Sequence, residues 1–170
     1  MIDRKKVEAF VRPLYQDLDG ASRFAEVERV ERIARQLHPA DDDAFALLLL
    51  FHALGKWLDK VGNLSRASLT TGIDETTLRR TAASIRRLAE PQTDAERAVA
   101  AAVLIDGAGV RGLADRFSRA RREGQSLLDV LRESLADAWI PDWLPENARP
   151  LLAARHEARR EMCRRILEEL

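Results

Sequence analysis

The chain has 170 residues, 46% of them hydrophobic, which suits one domain with a substantial core. Its 28 basic and 28 acidic side chains cancel, so no global field draws it to nucleic acid or an anionic membrane, and any charged partner has to be recognised locally. The single cysteine, Cys163, excludes an intramolecular disulfide, and the charged stretch Asp3 to Lys6 is followed by no apolar run of signal-peptide type, so the expected location is cytoplasmic.

Apolar residues recur at three- and four-residue spacing from end to end, while aromatics make up only 5% and no strand-like alternation is sustained. The expected fold class is therefore all-α, a single-domain helical bundle over residues 1–170 with about seven or eight helices. A first helix, about Arg4 to Asp17, carries Val7, Phe10, Val11 and Leu14 on one side, with Pro13 as a point of kinking and Asp19-Gly20 closing it. The second starts at Ser22 as N-cap, carries Phe24, Val27, Val30, Ile33, Ala34 and Leu37, and stops at His38-Pro39. Asp41 and Asp42 suit the positive end of a third, central helix that runs to about Lys60. Its core, Ala44 to Leu54, is eleven residues interrupted only by His52, too short for a membrane span.

Val61-Gly62-Asn63 marks a turn, a short helical piece precedes Gly72, and Asp74 caps a helix bearing Leu78, Ala82, Ile85 and Leu88 that Pro91 ends. Thr93-Asp94-Ala95-Glu96 fits a capping box for a helix running towards Ile105. Asp106-Gly107-Ala108-Gly109 reads as a break, followed by helices over Val110 to Arg121 and Ser126 to Trp139 on either side of Gly124. Pro141, Pro145 and Pro150 predict an irregular link. The C-terminal helix, Leu151 to Leu170, has nine Arg or Glu residues and should pack by one narrow stripe. Trp57, Trp139 and Trp143 are expected as packing anchors, since no interleaving of basic and aromatic residues suggests a nucleic-acid platform.

One segment carries chemistry. Leu49-Leu50-Phe51-His52-Ala53-Leu54-Gly55-Lys56-Trp57 resembles the signature of the HD-domain phosphohydrolases, in which apolar residues lead into His-Asp, an aliphatic residue and Gly-Lys. Adjacent His and Asp at a helix end can hold a hard divalent cation that activates water and polarises a phosphoryl group. Here the Asp is replaced by Ala53. The resemblance covers roughly residues 20 to 125: Glu26-Val27-Glu28-Arg29-Val30 is similar to the opening His-x-x-Arg-Val pattern with Glu26 at the first ligand position, and Ile85 to Glu96 is similar to the segment before the last Asp. Two alignments of that last ligand stand side by side. One matches Asp106 and leaves Glu26, His52 and Asp106 as a metal set; the other, ungapped, matches Gly109 and Gly112 to the family glycines and puts apolar Val103 at the ligand position.

The resemblance implies an HD-like domain that has lost metal-dependent phosphohydrolase activity and serves as a binding or regulatory module, with no bound cofactor. The alternative is an active hydrolase of a nucleotide or phosphomonoester working through Glu26, His52, Lys56 and Asp106 with a divalent metal ion; a weaker one is an Arg-rich adaptor for RNA or protein. Lys56, Arg86, Arg87 and Arg111 are candidate contacts for a phosphate-bearing small molecule, since residues 79–122 hold ten Arg against five acidic residues. Each residue also has a plainer reading. His52 can be a hydrogen-bonded core histidine, Lys56 a helix-end lysine on the face of His52, Glu26 a partner of Arg23 or Arg29, and Asp106 a cap before Gly107; the arginines can form a solvated surface. A membrane or nucleic-acid partner is not expected, while a protein partner remains open.

Overall fold

The computed structural model describes residues 2–16, 24–40 and 42–170. Regular structure among them is entirely helical, ten α-helices and two 3-10 turns, so the chain is all-α with more and shorter helices than the apolar periodicity suggested. It divides into two units, Met1–Ala100 and Ala101–Leu170. Asp17, Asp19-Gly20, Ser22, Arg23 and Asp41, named above from the sequence, lie outside the described residues. No helix among those described is long and apolar enough to cross a membrane.

The first unit holds α1 (Arg4–Gln16), α2 (Phe24–Leu37), α3 (Asp43–Phe51), α4 (Gly55–Leu58), α5 (Asn63–Thr71) and α6 (Glu75–Arg86). Every residue of α3 from Phe45 to Phe51 is buried, because α1, α2 and α6 all pack on it. Val7, Val11 and Tyr15 recur every four residues on α1, and Phe24, Val27, Val30 and Ala34 form the corresponding stripe of α2. Burying one such Leu or Phe contributes about 1.5–3 kcal/mol, so α3 is the energetic centre of this unit. Asp42 caps it, its side chain accepting from the Phe45 amide at 2.7 Å, and Asp74 caps α6 through the Thr77 amide at 2.9 Å. Between α5 and α6 the chain turns on Gly72, whose φ of 80° is readily adopted without a Cβ and whose N–H closes α5 onto the Ser68 carbonyl.

The expected central helix to Lys60 is cut after Phe51. In a continuous helix the Ala53 and Leu54 amides would bond to the carbonyls of Leu49 and Leu50. Instead His52 Nδ1 takes the Leu49 carbonyl at 2.7 Å, the Tyr15 hydroxyl takes the Leu50 carbonyl at 3.0 Å, and the Leu54 amide closes a tight turn onto Phe51 at 2.7 Å. Side chains have replaced the ladder, and the helix ends where they do so.

A long helix, α7 (Asp94–Ala108), opens in the first unit with the expected capping box: the Glu96 amide donates to Thr93 Oγ1 at 3.2 Å and Glu96 Oε2 accepts the Thr93 amide at 3.3 Å. Asp106 and Gly107 are helical rather than a break, and only Gly109 separates α7 from α8 (Val110–Glu123). Gly112 shows why glycine stands there: a Cβ on it would lie 1.7 Å from the Gly107 carbonyl oxygen.

The second unit continues with α9 (Leu127–Ala136) and α10 (Arg149–Glu169), which pack on α8 and on each other around Leu113, Ala120, Val130, Leu131 and Cys163. The narrow stripe of α10 is Leu152, His156, Arg159 and Cys163. Pro150 belongs to the first turn of α10 rather than to the preceding link, a position where its missing N–H costs nothing. Trp57 packs edge-on against Phe10 at 5.7 Å as an anchor should, but α9 stops at Ala136 and leaves Trp139 61% exposed, so that residue anchors no core.

Candidate functional site

The motif residues converge on the cut end of α3. His52 is buried, and because a carbonyl only accepts, its Nδ1 carries the proton donated to Leu49, which puts the lone pair of the neutral ring on Nε2. That tautomer is the one a metal-binding histidine uses. Tyr15, from α1, lies beside it with ring centroids 6.3 Å apart. Its hydroxyl donates to the Leu50 carbonyl and accepts the Ala53 amide at 3.4 Å, tying α1 to the turn. Burial pushes the phenol above its ordinary pKa range, and the negative charge of Glu26 on α2 pushes it the same way.

Ala53 is exposed, and its methyl group offers no ligand. Lys56 is exposed on α4, beyond the turn, so it does not continue the helical face of His52. Arg86 pairs with Asp59 at the surface, and Arg87 pairs with the buried Glu96, its Nε 3.2 Å from Oε1. Asp106, Val103 and Arg111 belong to the second unit, the first two half-buried and Arg111 exposed. Within the first unit the motif therefore supplies one imidazole nitrogen and one carboxylate, where a hard divalent cation asks for about six oxygen-type ligands or a metal–water centre for three protein ligands. Among the described residues no group of three or more His, Cys, Asp or Glu is arranged to hold a metal ion.

A cavity of about 790 Å³ in the first unit lies at the opposite end of α3, between Asp42 to Leu48 and residues of α6 and the start of α7. Its charged lining is Asp3, Asp42, Asp43, Asp74 and Glu96 against Arg80, a balance that disfavours phosphate. Several of these carboxylates are committed to the backbone: Asp42 and Asp74 cap helices, and Glu96 accepts the Gln92 and Thr93 amides. Glu96 is held at about pKa 2 because the Arg87 guanidinium and those N–H donors outweigh the cost of its burial.

Sequence reasoning missed Tyr15, His156 and Arg159. The first looked like one more stripe residue of an amphipathic helix. The other two sit at the 152, 156, 159, 163 spacing of the buried stripe of α10, a signal masked by the charge all around that helix.

No protein-family model and no curated protein matches the chain. Among solved structures it is similar to Bacillus subtilis YpgQ in complex with ADP, at 18% identity and a TM-score of 0.68, over 98% of this chain and 94% of that one. The selenomethionine form of the same Bacillus subtilis protein gives 18% identity and a TM-score of 0.67 over 98% and 93%. At that identity the likeness is one of fold, and this chain shares the fold of YpgQ.

Proposed function

We propose that this protein is a catalytically silent HD-like domain that acts as a binding or regulatory module for a phosphate-bearing small molecule, most simply a nucleotide. The observation that carries the reading is the corner at His52: the position after the histidine is an exposed alanine, and the Tyr15 hydroxyl ties the turn to α1. Without a carboxylate at Ala53 the ordinary chemistry of the family lacks the group that fixes its metal and orients the attacking water. The ligand class is supported by the ADP carried by a protein of the same fold.

Calorimetric titration of the full chain with ADP, in the presence of chelator and then of manganese, tests the reading. The expected result is saturable binding of the same affinity in both, with the nucleotide recovered intact. Binding that requires manganese and is followed by hydrolysis would overturn it.

A further inference from the structure

The second unit contains a cavity of about 300 Å³ that only Val103 among the motif positions lines. One wall is apolar, made by Val103, Leu104 and Ala108 of α7; the other carries Arg116 of α8, with His156 and Arg159 of α10. Asp137 and Trp139, from the segment after α9, complete it.

The charge arithmetic of this wall is unbalanced. Arg116 and Arg159 both reach the same oxygen of Asp137, Oδ2, the latter from a terminal nitrogen at 3.4 Å, and Arg159 also donates to the Asp137 carbonyl. Two guanidiniums thus share one carboxylate, which leaves a net positive charge. Arg159 is 1% exposed, and its Nε is buried with no hydrogen-bond partner. His156, one turn earlier on the same stripe, is 5% exposed. A buried guanidinium donor without an acceptor carries a desolvation cost, and an arginine used only for packing would be replaced by an apolar residue without loss. An arriving oxyanion supplies the missing negative charge.

The rest of the cavity defines the body of the ligand. Trp139 is 61% exposed although it lines the cavity, and its backbone amide donates to Asp137 Oδ1 at 3.5 Å, so an exposed indole is available beside the cationic residues. The volume lies at the lower end of small-molecule pockets. We propose that this cavity binds a small aromatic oxyanion, a carboxylate or phosphate monoester whose head group meets Arg116, Arg159 and His156 and whose ring lies on Trp139. The site stands apart from the nucleotide reading above, since none of its charged lining residues, Arg116, Asp137, His156 and Arg159, is a ligand candidate of the motif. Burial and the neighbouring Arg159 charge both lower the His156 pKa, the state expected of an imidazole lining a cationic cavity before an anion enters.

The test is titration of the full chain with benzoate and with phenyl phosphate, followed by calorimetry and tryptophan fluorescence, with benzyl alcohol and inorganic phosphate as probes lacking the charge or the ring. Saturable binding of at least one aromatic oxyanion is expected, benzyl alcohol failing to saturate and inorganic phosphate binding more weakly; whichever aromatic probe binds tighter identifies the head group. Arg116→Gln and Trp139→Ala, checked for folding by circular dichroism, should each weaken that binding by about tenfold or more, the value of one charge-assisted hydrogen bond or one stacked ring. Because Arg116 is half-buried and Trp139 exposed, neither change removes a core side chain. Failure of both aromatic oxyanions to saturate, or binding undiminished in both folded variants, would overturn the proposal.

Discussion

Glu96 in the first unit and Arg159 in the second are each 1% exposed, and each has its charge answered by an oppositely charged group. Their surroundings differ in completeness. Glu96 accepts from the Arg87 guanidinium and from the Gln92 and Thr93 amides, so one carboxylate serves as ion-pair partner and helix cap together. Arg159 shares the Asp137 carboxylate with Arg116 and keeps a buried Nε without an acceptor. A buried charge whose lone pairs are all used is architecture; one left short beside a cavity has room for a ligand. The difference can be attacked by experiment.

The largest effect is expected at Glu96. Glu96→Ala strands Arg87 and two amides at once and should cost about 3 kcal/mol in urea unfolding. The same contribution is titratable. A folded pKa of about 2 against an ordinary 4.5 means the stabilisation is fully present above pH 4.5 and lost as pH falls towards 2. Urea midpoints measured across that window should drop in the wild type and stay flatter in Glu96→Gln; parallel curves would contradict the assignment.

Gly112→Ala tests the packing of α8 on the end of α7. The new methyl would collide with the Gly107 carbonyl, and overpacking of this kind costs about 1–3 kcal/mol. A melting temperature equal to that of the wild type would show that the two backbones do not touch. Arg159→Met sharpens the comparison from the other side. If the guanidinium is held for a ligand rather than for stability, the folded variant should lie within about 1 kcal/mol of the wild type, in contrast to Glu96→Ala. A loss as large as that of Glu96→Ala would make the second unit's charge architecture too. Smallest of all, Ala53→Asp changes an exposed side chain and should move stability by less than about 0.5 kcal/mol, which thermal unfolding would check.

The sequence carried the helical class, the stripes of α1 and α2, the Asp74 cap and the Thr93–Glu96 capping box, because each depends on neighbours within a turn or two. The cut after Phe51 was illegible: a continuous apolar run has no periodicity to lose, and the break is made by Tyr15, which lies 35 residues from the Leu50 carbonyl it bonds. Asp106-Gly107 misled in the opposite direction, since a glycine inside a helix and one that ends it look alike until Gly112 is seen against its carbonyl. At the candidate site the motif pointed to Glu26 and His52, of which His52 lies beside Tyr15, whereas the phosphate-directed arginines 86 and 87 are engaged with Asp59 and Glu96. Charge counted along the chain cannot tell a paired guanidinium from one short of a partner.

The central claim is that the His52 corner no longer performs metal-dependent hydrolysis. It is tested most directly by turnover of a panel of nucleotides and phosphomonoesters by the full chain with manganese, cobalt or nickel, run beside His52→Ala. The account predicts product formation no faster than in the variant for every substrate and metal. Hydrolysis well above background that disappears in a folded His52→Ala variant would contradict it.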